Sequence, residues 1–207
     1  AARAYNRIAA GSASIHRVVL LGPAHRFAFR GMALPTVQYF RTPLGDIALD
    51  QSFIARIQQV PGICFSDQAH REEHSLEVQL PFLQTVLDEF SLVPLVVGSC
   101  DASQVAAVLE QIWDEPETLI VISSDLSHYH PYPVAQQLDL NTARRIEALD
   151  ASLDGGEACG AYPLNGLLQL ARSHGLRVER LDLRNSGDTA GSRDRVVGYG
   201  AWTMCDA

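Results

Sequence analysis

The chain has 207 residues, of which 47% are hydrophobic and 19% are charged. This length and composition are typical of one folded domain with a well-buried core, so we predict a single domain over residues 1–207. A net charge of -8 without any basic run argues against a nucleic-acid partner, since binding to phosphates depends on clustered Lys and Arg. Apolar stretches are interrupted before the roughly 20 residues that a membrane helix needs, and the first residues do not resemble a signal peptide. We therefore expect a cytoplasmic protein without a membrane partner.

The predicted elements begin with a helix and a buried strand. Residues 1–10 place Ala, Tyr and Ile at helical spacing. The apolar run from Arg17 to Leu21 ends at Gly22 and Pro23, which predicts a buried strand followed by a turn. Residues 26–45 are rich in Pro, Gly and aromatic residues, and we expect a long ordered loop with short extended pieces.

Two helices are predicted in the next part of the chain. Asp50 is expected to cap a helix that continues to about Val60. Leucines at spacings of three and four predict an amphipathic helix from Ser75 to Phe90, which Pro81 should either kink or begin.

Strands and helices alternate through the rest of the sequence. Apolar or β-branched runs predict strands at Leu92–Val97, Leu119–Ser123, Val178–Leu183 and Val196–Met204. Helical patterns lie between them at Ser103–Trp113, Val134–Leu149 and Leu164–His174. This alternation predicts a three-layer α/β fold with a central, largely parallel or mixed sheet and helices on both faces.

Polar residues follow the ends of the predicted strands, where ligands bind in open α/β sheets. His25 comes directly after the first strand, and an imidazole there could ligate a metal or move a proton near neutral pH. A loop histidine satisfied by main-chain groups or water is the alternative.

The segment Ser123 to His128 concentrates two hydroxyls, a carboxylate and an imidazole after another strand. We expect Asp125 to orient His128, which would make His128 a general base or a support for one. The alternative is that Ser124 and Asp125 cap the following turn and that His128 is exposed.

Two further candidates depend on the tertiary structure. His74 precedes Ser75, which is expected to cap the helix there, so His74 reaches a pocket only if this helix start faces the crevice. Cys159 lies between two helical patterns, and its thiolate could ligate a metal or act as a nucleophile. The alternative for Cys159, and our expectation for the other three cysteines, is a small buried apolar side chain.

Taken together, these segments resemble the Memo family, whose bacterial and archaeal members are also called AmmeMemoRadiSam system protein B. The resemblance runs through VVLLGPAHR, YFRTPLGDIALD, REEHSLEVQLPFLQ, VISSDLSHY and CGAYP to VVGYGAW, which together cover essentially the whole chain. It implies a fold related to the LigB-type extradiol dioxygenases, which use non-haem iron, with a pocket for Fe(II) or copper.

The resemblance also implies roles for individual residues. The family's GPxH motif falls on His25 and its CGxxP motif on Cys159, which are then metal ligands. By the same resemblance His74, Asp125 and His128 line the pocket as catalytic residues, with His128 near a substrate or a metal-bound water. A further histidine ligand belongs to a PHAG-type motif upstream of AARAYNRIAA. The sequence as given begins after that motif, so we expect a missing first strand, an incomplete ligand set, and possible homo-oligomerisation to cover the edge.

Three functions are compatible with these features. The first is a metal-dependent redox enzyme, similar to the extradiol dioxygenases, that acts on a phenolic or other small substrate. The second is a non-catalytic accessory protein that binds a peptide, metal or small molecule and works with a radical-SAM partner. A hydrolase using Ser124 or Ser127 with Asp125 and His128 is weaker, because the sequence has no GxSxG motif.

Overall fold

The structure is a computed structural model that describes residues 2–189 and 191–206. Its strands are β1 (Arg17–Pro23), β2 (Met32–Leu34), β3 (Tyr39–Thr42), β4 (Gly45–Ala48), β5 (Ile63–Phe65), β6 (Ser91–Val97), β7 (Thr118–Ile122), β8 (His128–His130), β9 (Arg177–Asn185) and β10 (Val196–Cys205). Its α-helices are α1 (Ala2–Ala9), α2 (Gln51–Ile57), α3 (Asp67–Arg71), α4 (Leu80–Val86), α5 (Ala102–Glu110), α6 (Tyr132–Glu147) and α7 (Ala161–Ser173).

A central five-stranded sheet in the order β5-β2-β6-β1-β7 is flanked by the helices. β1 pairs in parallel with both β6 and β7, and β2 pairs in parallel with β5, whereas β2 and β6 are antiparallel. Val18 to Leu21 of β1 are fully buried, as expected for a strand covered on both faces. The predicted mixed, largely parallel sheet with flanking helices is confirmed.

The last two predicted strands form, but they lie in a second sheet. β8, β10 and β9 make an antiparallel three-stranded sheet in that order. A parallel pairing needs a crossover of about a dozen or more residues, usually helical. The segment from Ser186 to Arg195 is too short for such a crossover, so the chain returns beside β9 in the opposite direction.

The helix predicted from Ser75 to Phe90 is shorter than expected. A 3-10 turn at Glu77–Gln79 leads into α4, and Pro81 lies in the first turn of that helix, where its missing N–H costs no hydrogen bond. Asp50 caps α2 as predicted, because its side chain accepts a hydrogen bond from the Phe53 amide at 2.9 Å.

Close packing of α5 against α7 depends on a residue without a side chain. Gly166 of α7 lies over Val105 of α5, and a β-carbon at Gly166 would overlap the Val105 side chain. The two helices therefore approach closely on one side of β1, against which α7 also packs.

Two further predictions concern the burial of the cysteines and membrane-spanning helices. Cys100 is buried as expected, but Cys64 and Cys205 are exposed. In the described ranges, no helix combines the length and the apolar composition that a bilayer crossing requires.

Candidate functional site

His25 follows β1 at the edge of the central sheet where the parallel strands β1 and β7 both end. The Ala24 amide donates to the Val97 carbonyl at 2.9 Å, which fixes the chain just before His25. The His25 side chain is 34% exposed, so its ring remains accessible while its Nδ1 lies 2.9 Å from Glu73 Oε1. This contact fixes the orientation of the ring.

Glu73 is the residue that holds His25 in place, and its side chain is only 1% exposed. Besides the His25 ring, its carboxylate accepts the main-chain amides of His25 at 2.5 Å, His74 at 2.9 Å and Ser75 at 2.9 Å. Burial acts to raise the pKa of Glu73, but the hydrogen bonds from His25 and from the Ser75 amide, together with charge on His25, lower it to about 2. Glu73 is therefore a fixed anion behind His25.

Glu73 was not singled out from the sequence. The only local signal is an acidic residue directly before His74. The burial of Glu73 depends on the packing of residues 73–75 against the end of β1. The predicted capping role of Ser75 is wrong, because its hydroxyl donates instead to the Pro23 carbonyl at 2.9 Å. This bond joins the residues after α3 to the end of β1.

His74 lies beside His25, as the pocket interpretation of this residue requires. The two rings stack with their centroids 5.2 Å apart and an interplanar angle of 18°. His25, Glu73 and His74 each offer one possible ligand atom, and these atoms all lie within 4.8 Å of one another. Two imidazoles therefore meet at one buried carboxylate.

The segment after β7 is anchored from two sides. The Ser123 amide donates to the Leu21 carbonyl at 2.8 Å, which extends the pairing of β7 with β1. The Ser123 hydroxyl accepts from the Gln79 amide group at 2.9 Å, and Gln79 in turn accepts from the Tyr5 hydroxyl at 2.7 Å. Helix α1 is thereby connected through Gln79 to the end of the strand.

Asp125 and His128 face each other after β7, but they are not hydrogen-bonded. His128 Nε2 lies 3.9 Å from Asp125 Oδ2, which is an ion-pair distance. Partial burial raises the pKa of Asp125, whereas charge on His128, His25 and His74 acts in the opposite direction. The carboxylate of Asp125 thus lies within the electrostatic reach of all three predicted site histidines.

Cys159 meets this segment through its side chain and its main chain. Its Sγ accepts a hydrogen bond from the Asp125 amide at 3.2 Å, and its own amide donates to the Asp125 carbonyl at 3.2 Å. Burial raises the pKa of the thiol, although the hydrogen bonds from Asp125 and Ser124 act to lower it. A protonated thiol at neutral pH is a weak nucleophile, so this environment does not favour covalent catalysis by Cys159.

The structure therefore brings the predicted site residues together in two groups. His25 and His74 meet at Glu73, whereas His128 and Cys159 meet at Asp125. In residues 2–189 and 191–206, the close metal-type cluster contains His25, Glu73 and His74 and does not include Cys159.

The two serines of the hydrolase hypothesis are occupied or enclosed. The Ser124 hydroxyl donates to the Asp125 carbonyl at 2.7 Å and accepts from the Gly160 amide at 2.9 Å. Ser127 is 1% exposed, and its amide donates to the buried carboxylate of Asp139 at 3.0 Å. Ser124 therefore links two loops, and Ser127 is too enclosed to reach a substrate.

The sequence of this chain matches the family model described as Memo-like protein over residues 1–203. The chain belongs to the Memo-like family. It is 35% identical over 210 residues to a MEMO1 family protein of Methanopyrus kandleri, an alignment that covers 94% of this chain and 74% of the relative. A second MEMO1 family protein, from Aeropyrum pernix, is 35% identical over 198 residues, with 89% of this chain and 70% of the relative covered.

The solved structure of another protein has the same fold as this Memo-like chain. The crystal structure of an uncharacterized protein from Escherichia coli matches with a TM-score of 0.54 and 16% sequence identity. The match covers 96% of this chain and 91% of that protein. At this identity the likeness concerns the arrangement of strands and helices alone.

Proposed function

We propose that this Memo-like protein is a metal-dependent redox enzyme that acts on a small molecule at the carboxyl ends of β1 and β7. The observation that carries the proposal is the contact between the buried Glu73 carboxylate and His25 Nδ1 at 2.9 Å. A carboxylate that holds one ring nitrogen of a histidine leaves Nε2 as the available ligand atom, and this arrangement is general among metal-binding histidines.

The donor set fits a transition metal better than a hard cation. Imidazole and thiolate groups suit iron, copper and zinc, whereas magnesium and calcium prefer oxygen ligands. Glu73 already accepts four N–H contacts, so we assign it to orientation. His25 and His74 would hold the metal, and Cys159 is the candidate third donor.

The remaining residues supply proton transfer and positioning. Iron or copper, when bound, would supply the electron-transfer chemistry that the side chains themselves lack. His128 can take or give a proton at Nε2, with Asp125 Oδ2 at 3.9 Å to stabilise the imidazolium form. Glu73 keeps His25 in one orientation throughout, since a pKa of about 2 leaves it ionised near neutral pH.

The experiment is elemental analysis of protein purified without oxygen, compared among matched variants. We expect near-stoichiometric iron or copper in the parent and a loss of metal in His25→Ala, His74→Ala and Cys159→Ala. His16→Ala and Cys64→Ala are the controls, because both residues are exposed and lie outside the two groups of site residues.

The outcomes separate the two remaining functions. Metal that is lost only in the site variants, together with oxygen-dependent turnover of small phenols, would support the enzyme. Metal retained equally in His25→Ala and in His16→Ala would overturn the assignment of the ligands. Stoichiometric metal without turnover of any tested substrate would favour the accessory role, with a radical-SAM protein as the partner to test by co-purification.

A further inference from the structure

Arg145, in the last turn of α6, binds the loop that follows this helix. Its Nε donates to Asp150 at 2.7 Å, and one terminal nitrogen donates to both carboxylate oxygens of Glu157 at 2.5 Å. The other terminal nitrogen donates to the Ser152 carbonyl at 3.0 Å and to the Ser152 hydroxyl at 2.8 Å. All three guanidinium nitrogens are thus engaged with one loop.

The loop itself, residues 148–160, contains no helix or strand. Asn165 of α7 holds its middle, since the Asn165 side chain accepts from the Leu153 amide at 3.0 Å and donates to the Leu153 carbonyl at 2.8 Å. Further along, Asp154 accepts the Gly156 amide at 2.7 Å and thereby closes a tight turn. A segment without regular secondary structure is therefore held by side chains.

The end of this loop carries Cys159 to the candidate site. Cys159 and Asp125 exchange two hydrogen bonds, and the next amide, that of Gly160, binds the Ser124 hydroxyl at 2.9 Å. The position of the thiol therefore depends on a loop that Arg145 contacts at three residues, Asp150, Ser152 and Glu157.

We propose that Arg145 is a positioning residue that sets the place and the accessibility of the Cys159 thiol. The planar guanidinium reaches three separate loop residues at once, which a single ammonium group cannot do. When Arg145 is removed, three polar groups lose a shared partner and the loop opens locally, without loss of the sheet. The inference builds on the proposed function only in taking Cys159 as a site residue.

The experiment measures alkylation of Cys159 by iodoacetamide in metal-free protein, followed by mass spectrometry of the peptide that contains it. A chelator in every sample makes the result independent of metal binding. We expect Cys159 to react about tenfold or more faster in Arg145→Met than in the parent, because local opening exposes the thiol. Cys159 should also react faster than in the parent in Arg145→Lys, and Glu157→Gln should increase the rate less than Arg145→Met does.

Two controls separate a local effect from general loss of stability. Arg144→Met removes an exposed arginine from the adjacent position of the same helix and should leave the rate unchanged. Cys100 is buried in the core beside the central sheet, and its alkylation rate should not change in any variant. It reports on opening of the whole molecule.

The proposal is overturned if Cys159 in folded Arg145→Met reacts within about twofold of the parent, or if Cys100 accelerates in parallel with it. If Arg145→Met does not fold, Glu157→Gln tests the proposal instead. An unchanged alkylation rate of Cys159 in Glu157→Gln would reject a role of the Arg145 contacts in positioning the thiol. A failure of the proposed function would instead appear as parent protein without metal, whatever the alkylation rates are.

Discussion

Gly198 of β10 lies directly against the buried carboxylate of Asp139 of α6, so closely that a β-carbon at Gly198 would overlap it. The same carboxylate accepts the Ser127 amide at 3.0 Å, and the Gly198 amide donates to the Ser127 carbonyl at 2.8 Å. A residue without a side chain therefore lets α6 reach the turn that precedes His128.

Gly198→Ala is expected to lower the free energy of unfolding by about 1 to 3 kcal/mol, because the added methyl group forces Asp139 away from Ser127. Urea denaturation measures the change. Gly155→Ala is the matched control, since no atom lies within 4 Å of the position of its new β-carbon. Equal stability of the two variants would contradict the close packing of Gly198.

Glu73→Gln is expected to lower the free energy of unfolding by about 2 to 4 kcal/mol, because it removes a buried charge that accepts several N–H groups. The neighbouring Glu72 is exposed, and Glu72→Gln should change stability by no more than about 0.5 kcal/mol. Thermal and urea denaturation of both variants, carried out on metal-free protein, test this difference. Similar values for the two would show that Glu73 does not organise this part of the fold.

Asp50 should make the stability of the protein depend on pH in the acid range. Burial acts to raise its pKa, but hydrogen bonds from Ser52 and the Phe53 amide and the ion pair with Arg17 lower this pKa to about 2, below its ordinary value of 3.8. Because the pKa of Asp50 is lower in the folded state than in the unfolded state, Asp50 contributes fully to stability above about pH 4. This contribution is lost as the pH falls through about 2.

We therefore expect Asp50→Asn to cost about 2 kcal/mol at pH 7, and expect this difference from the parent to shrink steadily between pH 4 and pH 2. Urea denaturation across this range measures it. Asp46→Asn is the control, because Asp46 pairs with Arg41 at the surface and should matter little at any pH. A difference for Asp50→Asn that stays constant down to pH 2 would refute the linkage.

Tyr129 adopts a left-handed backbone conformation with φ of 62°, next to His128. Side chains disfavour this region by roughly 1 to 2 kcal/mol, and glycine does not. Its ring is largely exposed and contacts Arg195, so little packing is lost on truncation. Tyr129→Gly should therefore be more stable than Tyr129→Ala by about 1 kcal/mol. The reverse order in thermal denaturation would show that this backbone conformation is not maintained.

Much of the local structure was predictable from the sequence, because short-range patterns decide it. The apolar runs before His25 and before Gly98 predicted the buried strands that form there, and Asp50 caps a helix where a cap was expected. The placement of His25 and of residues 123–128 just beyond strand ends followed from the same patterns. Two parallel neighbours then bring those ends to one edge of the sheet.

The tertiary structure decided which of these residues touch. Glu73 is 48 residues from His25 in the chain, and neither its burial nor the bond of Ser75 to Pro23 leaves a periodic signal. The separate antiparallel sheet of β9 and β10 and the contact between Cys159 and Asp125 likewise arise from packing between distant segments. Hydrophobic periodicity and capping act over a few residues, and so the sequence by itself determined most of the longer elements, although not every end, as the shorter α4 shows. The contacts that build the site were decided only when those elements packed together.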